Sequence, residues 1–185
     1  METVMLWLKV VVAILPSAIV GIPFDDWMDA HLHNAPVVAA MLVIYGVAFI
    51  LVEKHQNTRR RAHIQNVELI DMRMALMIGL FQVLSLVPGT SRSGATILGG
   101  LLFGASRTVA AEFTFFLAIP VMLGWGLVKV VKFLAAGLVM SQLEIVVLVV
   151  GVITAFIVSV LSIRFLMGYI KTNDFMPFGW YRIIV

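Results

Sequence analysis

Long apolar runs separated by short polar breaks organise this chain. Residues 6–24, 35–52, 109–140 and 145–163 each form such a run. A helix crosses the hydrocarbon core of a bilayer with roughly 20 apolar residues. The first two runs therefore predict spanning helices, as do the first two thirds of the third. The fourth is an uninterrupted stretch of 19 residues and the clearest helix of all. Lys9 and Pro16 fall within or beside the first run. Proline is tolerated in a membrane helix where neighbours satisfy the freed carbonyl. A polar loop, "DDWMDAHLHN", is expected after the first span. The segment "EKHQNTRRRAHIQNVELIDMR", with Lys54, Arg59, Arg60, Arg61 and Arg73, is the long hydrophilic connection after the second.

Two further apolar pieces are too short to span. Residues 74–87 number 14, and after the interruption "PGTSRSGATILGG" the run "ATILGGLLF" lasts nine. Such lengths suit the arms of a re-entrant hairpin, 74–103, that enters and leaves on one side. Basic residues test this, because Lys and Arg favour cytoplasmic loops. With the 59–61 loop inside, a re-entrant hairpin puts eight basic residues inside and only Lys129 and Lys132 outside. A single broken span would give seven inside and three outside. The terminal "PFGWYRIIV" is also too short to cross, and the reading expects a last helix cut short.

Composition agrees. Of the 185 residues, 62% are hydrophobic and 12% charged, about half the charge of a soluble domain. The expected fold is thus an all-α integral membrane bundle containing a re-entrant helical hairpin, in one membrane domain over 1–185. The net charge of +3 fits loop bias toward an anionic leaflet rather than nucleic-acid binding. Without cysteine, disulfide and thiolate chemistry are excluded, and no secretory cleavage site is evident near the start.

The interruption is where chemistry concentrates. Non-helical backbone at membrane depth survives only when buried in protein or lining a watery cavity. Gly89 and Gly94 allow a tight turn and close ligand approach. The N–H groups opening the second arm, beside Arg92, make an anion site suited to phosphate. A guanidinium binds phosphate through two parallel bonds, and Thr90, Ser91, Ser93 and Thr96 add hydroxyls. An ionisable residue inside a membrane segment points to function. The alternative is that Ser and Thr cap a helix while Arg92 snorkels to an interface.

The stretch "LVPGTSRSGATILGGLLFG", with "ASRTVAAEFTFFLAIPVM" after it, resembles the undecaprenyl-diphosphate phosphatase family, of the bacitracin-resistance BacA type. "LKVVVAILPSAIVGIPFDD" and "FGWYRIIV" resemble other segments of that family, so the likeness covers essentially the whole chain. It implies hydrolysis of the C55 lipid diphosphate to the monophosphate and inorganic phosphate. The place would be the outer, periplasmic face of the bacterial inner (plasma) membrane, and the hydrolysis recycles the carrier for peptidoglycan. It also implies an inverted-repeat architecture and a divalent cation, Mg²⁺ or Ca²⁺. Gly89, Thr90, Ser91, Arg92, Ser93, Gly94 and Thr96 would hold the diphosphate, with Arg92 and Ser91 in catalytic roles. The partners implied are the lipid and the membrane, with no nucleic acid and with a homodimer left open. The family's E-x-x-x-E pair and S-S-T-G-H stretch do not occur here. The expectation is that its amino-terminal part, with the nucleophile, is missing, and that this chain alone lacks most or all activity.

Supporting roles are expected for Gln82, bonding the turn from inside, and for Glu112, facing the bundle interior and bonding Arg107 or the hairpin backbone. His31 and His33 beside Asp25, Asp26 and Asp29 could bind a metal, but the spacing is ordinary for a solvated loop. Rival functions are a lipid or ion transporter, since transporters also use broken helices, and a non-catalytic membrane fragment.

Overall fold

The computed structural model describes residues 2–58, 63–137 and 140–185, without the side chains of residues 2, 25, 26, 29 and 56–58. Among the described residues the fold is all-α. Four helices are long and apolar enough to cross a membrane: α1 (Glu2–Leu32), α2 (Ala35–Thr58), α5 (Arg107–Ala135) and α6 (Gln142–Ile170). Between α2 and α5 lie two short helices, α3 (Met72–Val83) and α4 (Arg92–Leu102), and α7 (Met176–Ile184) follows α6.

The polar segment after the first apolar run is not a loop. Helix α1 continues through it to Leu32, and Pro16 and Pro23 both lie inside the helix. The His31 ring stacks on Trp27, with centroids 4.7 Å apart, and bonds the Trp27 carbonyl at 2.9 Å. These contacts between residues four apart favour the last helical turn. The turn to α2 is then made at Asn34, whose side chain accepts from Val37 N.

Helices α3 and α4 form the expected hairpin. At about 1.5 Å per residue, arms of 12 and 11 residues reach only about 17–18 Å, short of a bilayer core of about 30 Å. Its two feet are tied together. Ile64 N donates to Gly104 O at 3.2 Å, and Ser106 N donates to Ile64 O at 2.9 Å. The chain therefore enters and leaves the hairpin at one end of the bundle, where a single broken span would separate the two. Asp71 caps α3 by accepting from Met74 N, and Ser106 caps α5 by accepting from Val109 N.

Helix α1 runs parallel to α3 in close contact. Lys9 donates to the carbonyl of Glu68 just before α3, at 2.8 Å, which holds this intramembrane charge at the feet of the hairpin. A turn deeper, Gly79 meets the Ala13 backbone so closely that a Cβ would lie 2.2 Å from Ala13 O. Deeper again, Gln82 Nε2 donates to Ser17 Oγ at 2.8 Å. Gln82 thus supports the α1–α3 crossing, not the turn, because its side chain leaves α3 on the face that α1 covers.

Helix α2 returns along the other side of the hairpin. Its residues pass, in order, Val38 beside Gly89, Phe49 beside Gly94, and Glu53 beside Arg107. Helix α7 packs antiparallel to α2, close enough that a Cβ on Gly46 would lie 2.8 Å from Gly179 O. Glu53, wholly buried, fastens this end. It accepts from Arg107 Nη2 at 2.7 Å and Nε at 3.0 Å, and from Phe175 N at 3.0 Å. The bond expected between Glu112 and Arg107 is absent. The two residues are five apart, about 140° around the helix, so only Arg107 points at α2. Glu112 is half-buried and makes no hydrogen bond or ion pair among the described residues.

The core fills the space among α1, the hairpin and the first half of α5, around Phe113, Ile78, Leu101 and Val10. Beyond Pro120, α5 and almost all of α6 present exposed Leu, Ile, Val and Phe. Helices apolar all round with nothing packed on them belong in lipid or against another membrane helix.

Candidate functional site: an anion cradle at the hairpin tip

Four residues make the turn at the tip. Pro88 and Gly89 are its central pair, and Thr90 N closes it on Val87 O at 3.1 Å. Gly89 has φ +89°, the value a type II turn needs after proline and one that disfavours side chains. Space demands glycine as well, since a Cβ would sit 2.6 Å from Val38 O. The chain then enters α4 with Ser91 as N-cap, its hydroxyl accepting from Gly94 N at 3.2 Å and lying 3.0 Å from Ser93 Oγ. The N–H groups of Arg92 and Ser93 are left without helical acceptors, as at any helix start.

Arg92, half-buried at the first position of α4, makes no ion pair or side-chain hydrogen bond among the described residues. The sequence reading missed a second arginine here. Arg182, on α7, lies against Gly94 so closely that a Cβ on that glycine would be 3.3 Å from Nη2. Its guanidinium carbon is 5.8 Å from the Phe49 ring centroid, and its Nη1 is buried without a hydrogen-bond partner among the described residues. Thr90 is 7% exposed, and its hydroxyl is likewise unpartnered. Tyr45 stands near both Thr90 and Arg182, but not in hydrogen-bonding geometry with Thr90 Oγ1. In the sequence Arg182 sat in a nine-residue apolar tail with no motif around it. The only available signal was a charge inside an apolar segment.

The expected residues divide. Gly89, Thr90, Ser91, Arg92, Ser93 and Gly94 gather at the tip. Thr96 is 1% exposed on the packed side of α4. Its hydroxyl donates to the carbonyls of Arg92 and Ser93 at 3.0 and 3.2 Å and accepts from Thr114 Oγ1 at 2.9 Å, locking α4 to α5.

Arg182 lies against the first turn of α4 and Arg92 opens that turn, with no carboxylate among the described residues paired to either. Glu53, the nearest acid on α2, is engaged by Arg107 and Phe175. The donor set therefore suits a polyanion. It does not suit a divalent cation: among the described residues no three His, Asp or Glu converge on one point. The Asp25, Asp26 and Asp29 side chains weighed above lie outside the described ones.

Comparison with known proteins completes the picture. Over 184 residues the chain is 57% identical to a protein of Lactiplantibacillus plantarum named undecaprenyl-diphosphatase. Proteins of the same name from Limosilactobacillus fermentum and Enterococcus faecalis are 54% and 52% identical. Each alignment takes in 100% of this chain and 66% of the relative, so the chain spans just under two thirds of these relatives' length. The family described as bacitracin resistance protein BacA matches residues 1–185, hairpin, cradle and α7 together, and the chain belongs to that family.

Proposed function

We propose that this chain carries the diphosphate-binding part of an undecaprenyl-diphosphate phosphatase site, in the bacterial plasma membrane. The observation that supports the reading most directly is the uncompensated positive charge at the hairpin tip. An unpaired charge at membrane depth is unfavourable, and a lipid diphosphate would neutralise it. Its pyrophosphate would accept from Arg92 and from the free N–H groups of Arg92 and Ser93, while the prenyl chain stays among apolar helices. As the anhydride bond breaks, charge grows on the bridging oxygen and on the departing phosphoryl group. Preorganised donors in a water-poor site stabilise that charge. The chain's own residues thus bind and polarise the diphosphate, and the attacking group is assigned to the family's amino-terminal part.

Orientation follows from charge. Lys54, Arg73 and Arg107 share the end of the bundle where the hairpin has its feet, and Arg164 and Lys171 come late in α6 and after it. Lys129 and Lys132 end α5 at the opposite end. The positive-inside rule puts the feet in the cytoplasm, so the tip, beside the start of α2, opens toward the outer face. There it would meet a carrier diphosphate released by cell-wall polymerisation.

The test measures phosphate release from undecaprenyl diphosphate and farnesyl diphosphate in nanodiscs. One sample is the chain alone, and the other is the chain joined to the amino-terminal third of the Lactiplantibacillus plantarum relative. Release by the joined protein, abolished by Arg92→Ala, is expected. A joined protein that inserts correctly, releases no phosphate and instead supports solute flux in liposomes would establish the transporter reading.

A further inference from the structure

Arg92 is the arginine that the motif advertises, but Arg182, equally half-buried, holds one guanidinium nitrogen fully out of solvent. We infer that Arg182 and Thr90 form a second anion clamp on the inner side of the α4 N-terminus, one that engages the diphosphate together with Arg92. The inference rests on the diphosphate-binding reading above and deepens it.

Three independent observations converge. First, Arg182 Nη1 is buried with no acceptor among the described residues, and the guanidinium lies over the Phe49 ring, 5.8 Å from its centroid. A ring face stabilises a guanidinium but accepts none of its five N–H groups in the plane. Those donors remain available. Second, Thr90 is more than nine-tenths buried, and its hydroxyl is also unsatisfied. Unsatisfied buried polar groups are uncommon in folded proteins, and each calls for an explanation such as a ligand. Third, Gly94 leaves no side chain between the guanidinium and the first turn of α4. The missing side chain lets a cation from α7 reach the helix start, where it reinforces the positive end of the dipole.

Helix α7 is built to deliver this side chain. Its start is fixed by the bond from Phe175 N to Glu53 Oε1, and its middle by the Gly46–Gly179 contact. Seven residues beyond Phe175, about 10 Å deeper, Arg182 arrives beside Gly94. Placing a positive charge next to a helix N-terminus is repulsive in itself, so the arrangement makes sense with an anion shared between them. A prenyl diphosphate bears about one more negative charge than a monophosphate near neutral pH, since a second phosphoryl group is present. A site with two guanidiniums thereby favours the diphosphate over the monophosphate product.

The experiment uses this chain in nanodiscs and titrates inorganic diphosphate and inorganic phosphate by calorimetry, with ³¹P NMR alongside. Arg182→Gln should weaken diphosphate about 10- to 100-fold, the loss of one charge-assisted clamp, and weaken phosphate far less. Arg182→Lys should recover part of the diphosphate affinity. Thr90→Val keeps the side-chain shape and removes a hydroxyl that has no hydrogen-bond partner among the described residues. Its thermal midpoint should therefore hold or rise, while diphosphate affinity falls about 3- to 10-fold. Equal diphosphate affinity in wild type, Arg182→Gln and Thr90→Val overturns the second clamp and leaves the first standing. Equal weakening of both anions by Arg182→Gln overturns its preference for the diphosphate. A wild-type chain that binds neither anion overturns the diphosphate-binding reading itself.

Discussion

The Glu53–Arg107 pair invites a double-mutant cycle, because its two ends are buried unequally. Glu53 is 0% exposed, whereas the Arg107 side chain is 29% exposed. Arg107→Ala strands a wholly buried carboxylate, and breaking a buried pair in this way costs about 3–5 kcal/mol. Glu53→Ala leaves a guanidinium near the bundle end that can swing toward the interface. It also orphans Phe175 N–H, worth about 1–3 kcal/mol, so the expected total is about 2–4 kcal/mol. The double variant contains no stranded charge and should cost about 3–5 kcal/mol, well under the sum of the singles. The coupling would then be about 2–4 kcal/mol, the size found for directly interacting buried groups. Unfolding by titrated SDS in mixed micelles measures all four corners. If Arg107→Ala is no worse than Glu53→Ala, or the coupling falls below about 1 kcal/mol, the pair is behaving as a screened surface bridge. The claim that it anchors α2, α5 and α7 then fails. Since Phe175 N starts α7, Glu53→Ala should also weaken diphosphate binding although Glu53 does not border the cradle.

Other expectations follow from the same packing. Arg92→Ala in the joined protein should lower phosphate release about 10²–10³-fold, with only partial recovery in Arg92→Lys because the planar fork is lost; full activity in either variant, correctly inserted, would refute the clamp. Gly79→Val should destabilise the bundle by at least about 1–3 kcal/mol, since even a Cβ would sit 2.2 Å from Ala13 O, and SDS unfolding with a wild-type midpoint would show that the crossing is looser than described. Gly89→Ala should combine strain of about 1–2 kcal/mol with a clash on Val38, lowering both stability and diphosphate affinity in the calorimetric titration. Single cysteines at positions 54 and 108, which leave the Glu53–Arg107 pair intact in a chain without cysteine, should label from the same side of sealed vesicles; labelling from opposite sides would rule out the re-entrant hairpin.

Helix identity and membrane residence could be read directly from the chain, because in lipid an apolar run of sufficient length has only one way to satisfy its backbone. The same logic made residues 74–103 a hairpin, since neither arm could reach across. The tip was legible too: a Pro-Gly turn followed by a hydroxyl cap and an arginine encodes its geometry locally. Boundaries were less so. The aspartates and histidines after the first apolar run looked like a loop, yet their helix is settled by contacts one turn apart, such as His31 on Trp27, that hydropathy does not register.

Partners across the sequence were decided by tertiary structure alone. Arg107 turns to Glu53, 54 residues earlier, rather than to Glu112 close by, because helical phase separates positions five apart. Gln82 turns to Ser17 because α1 covers that face. Arg182 reaches the cradle across 90 residues of chain, brought there by a carboxylate that fixes the start of α7 and by two glycines that let the helix approach α2. A sequence specifies how far each helix can reach and which side chains it offers. Only packing decides which of them meet, since contact depends on the rotation and depth of helices whose neighbours lie far away along the chain.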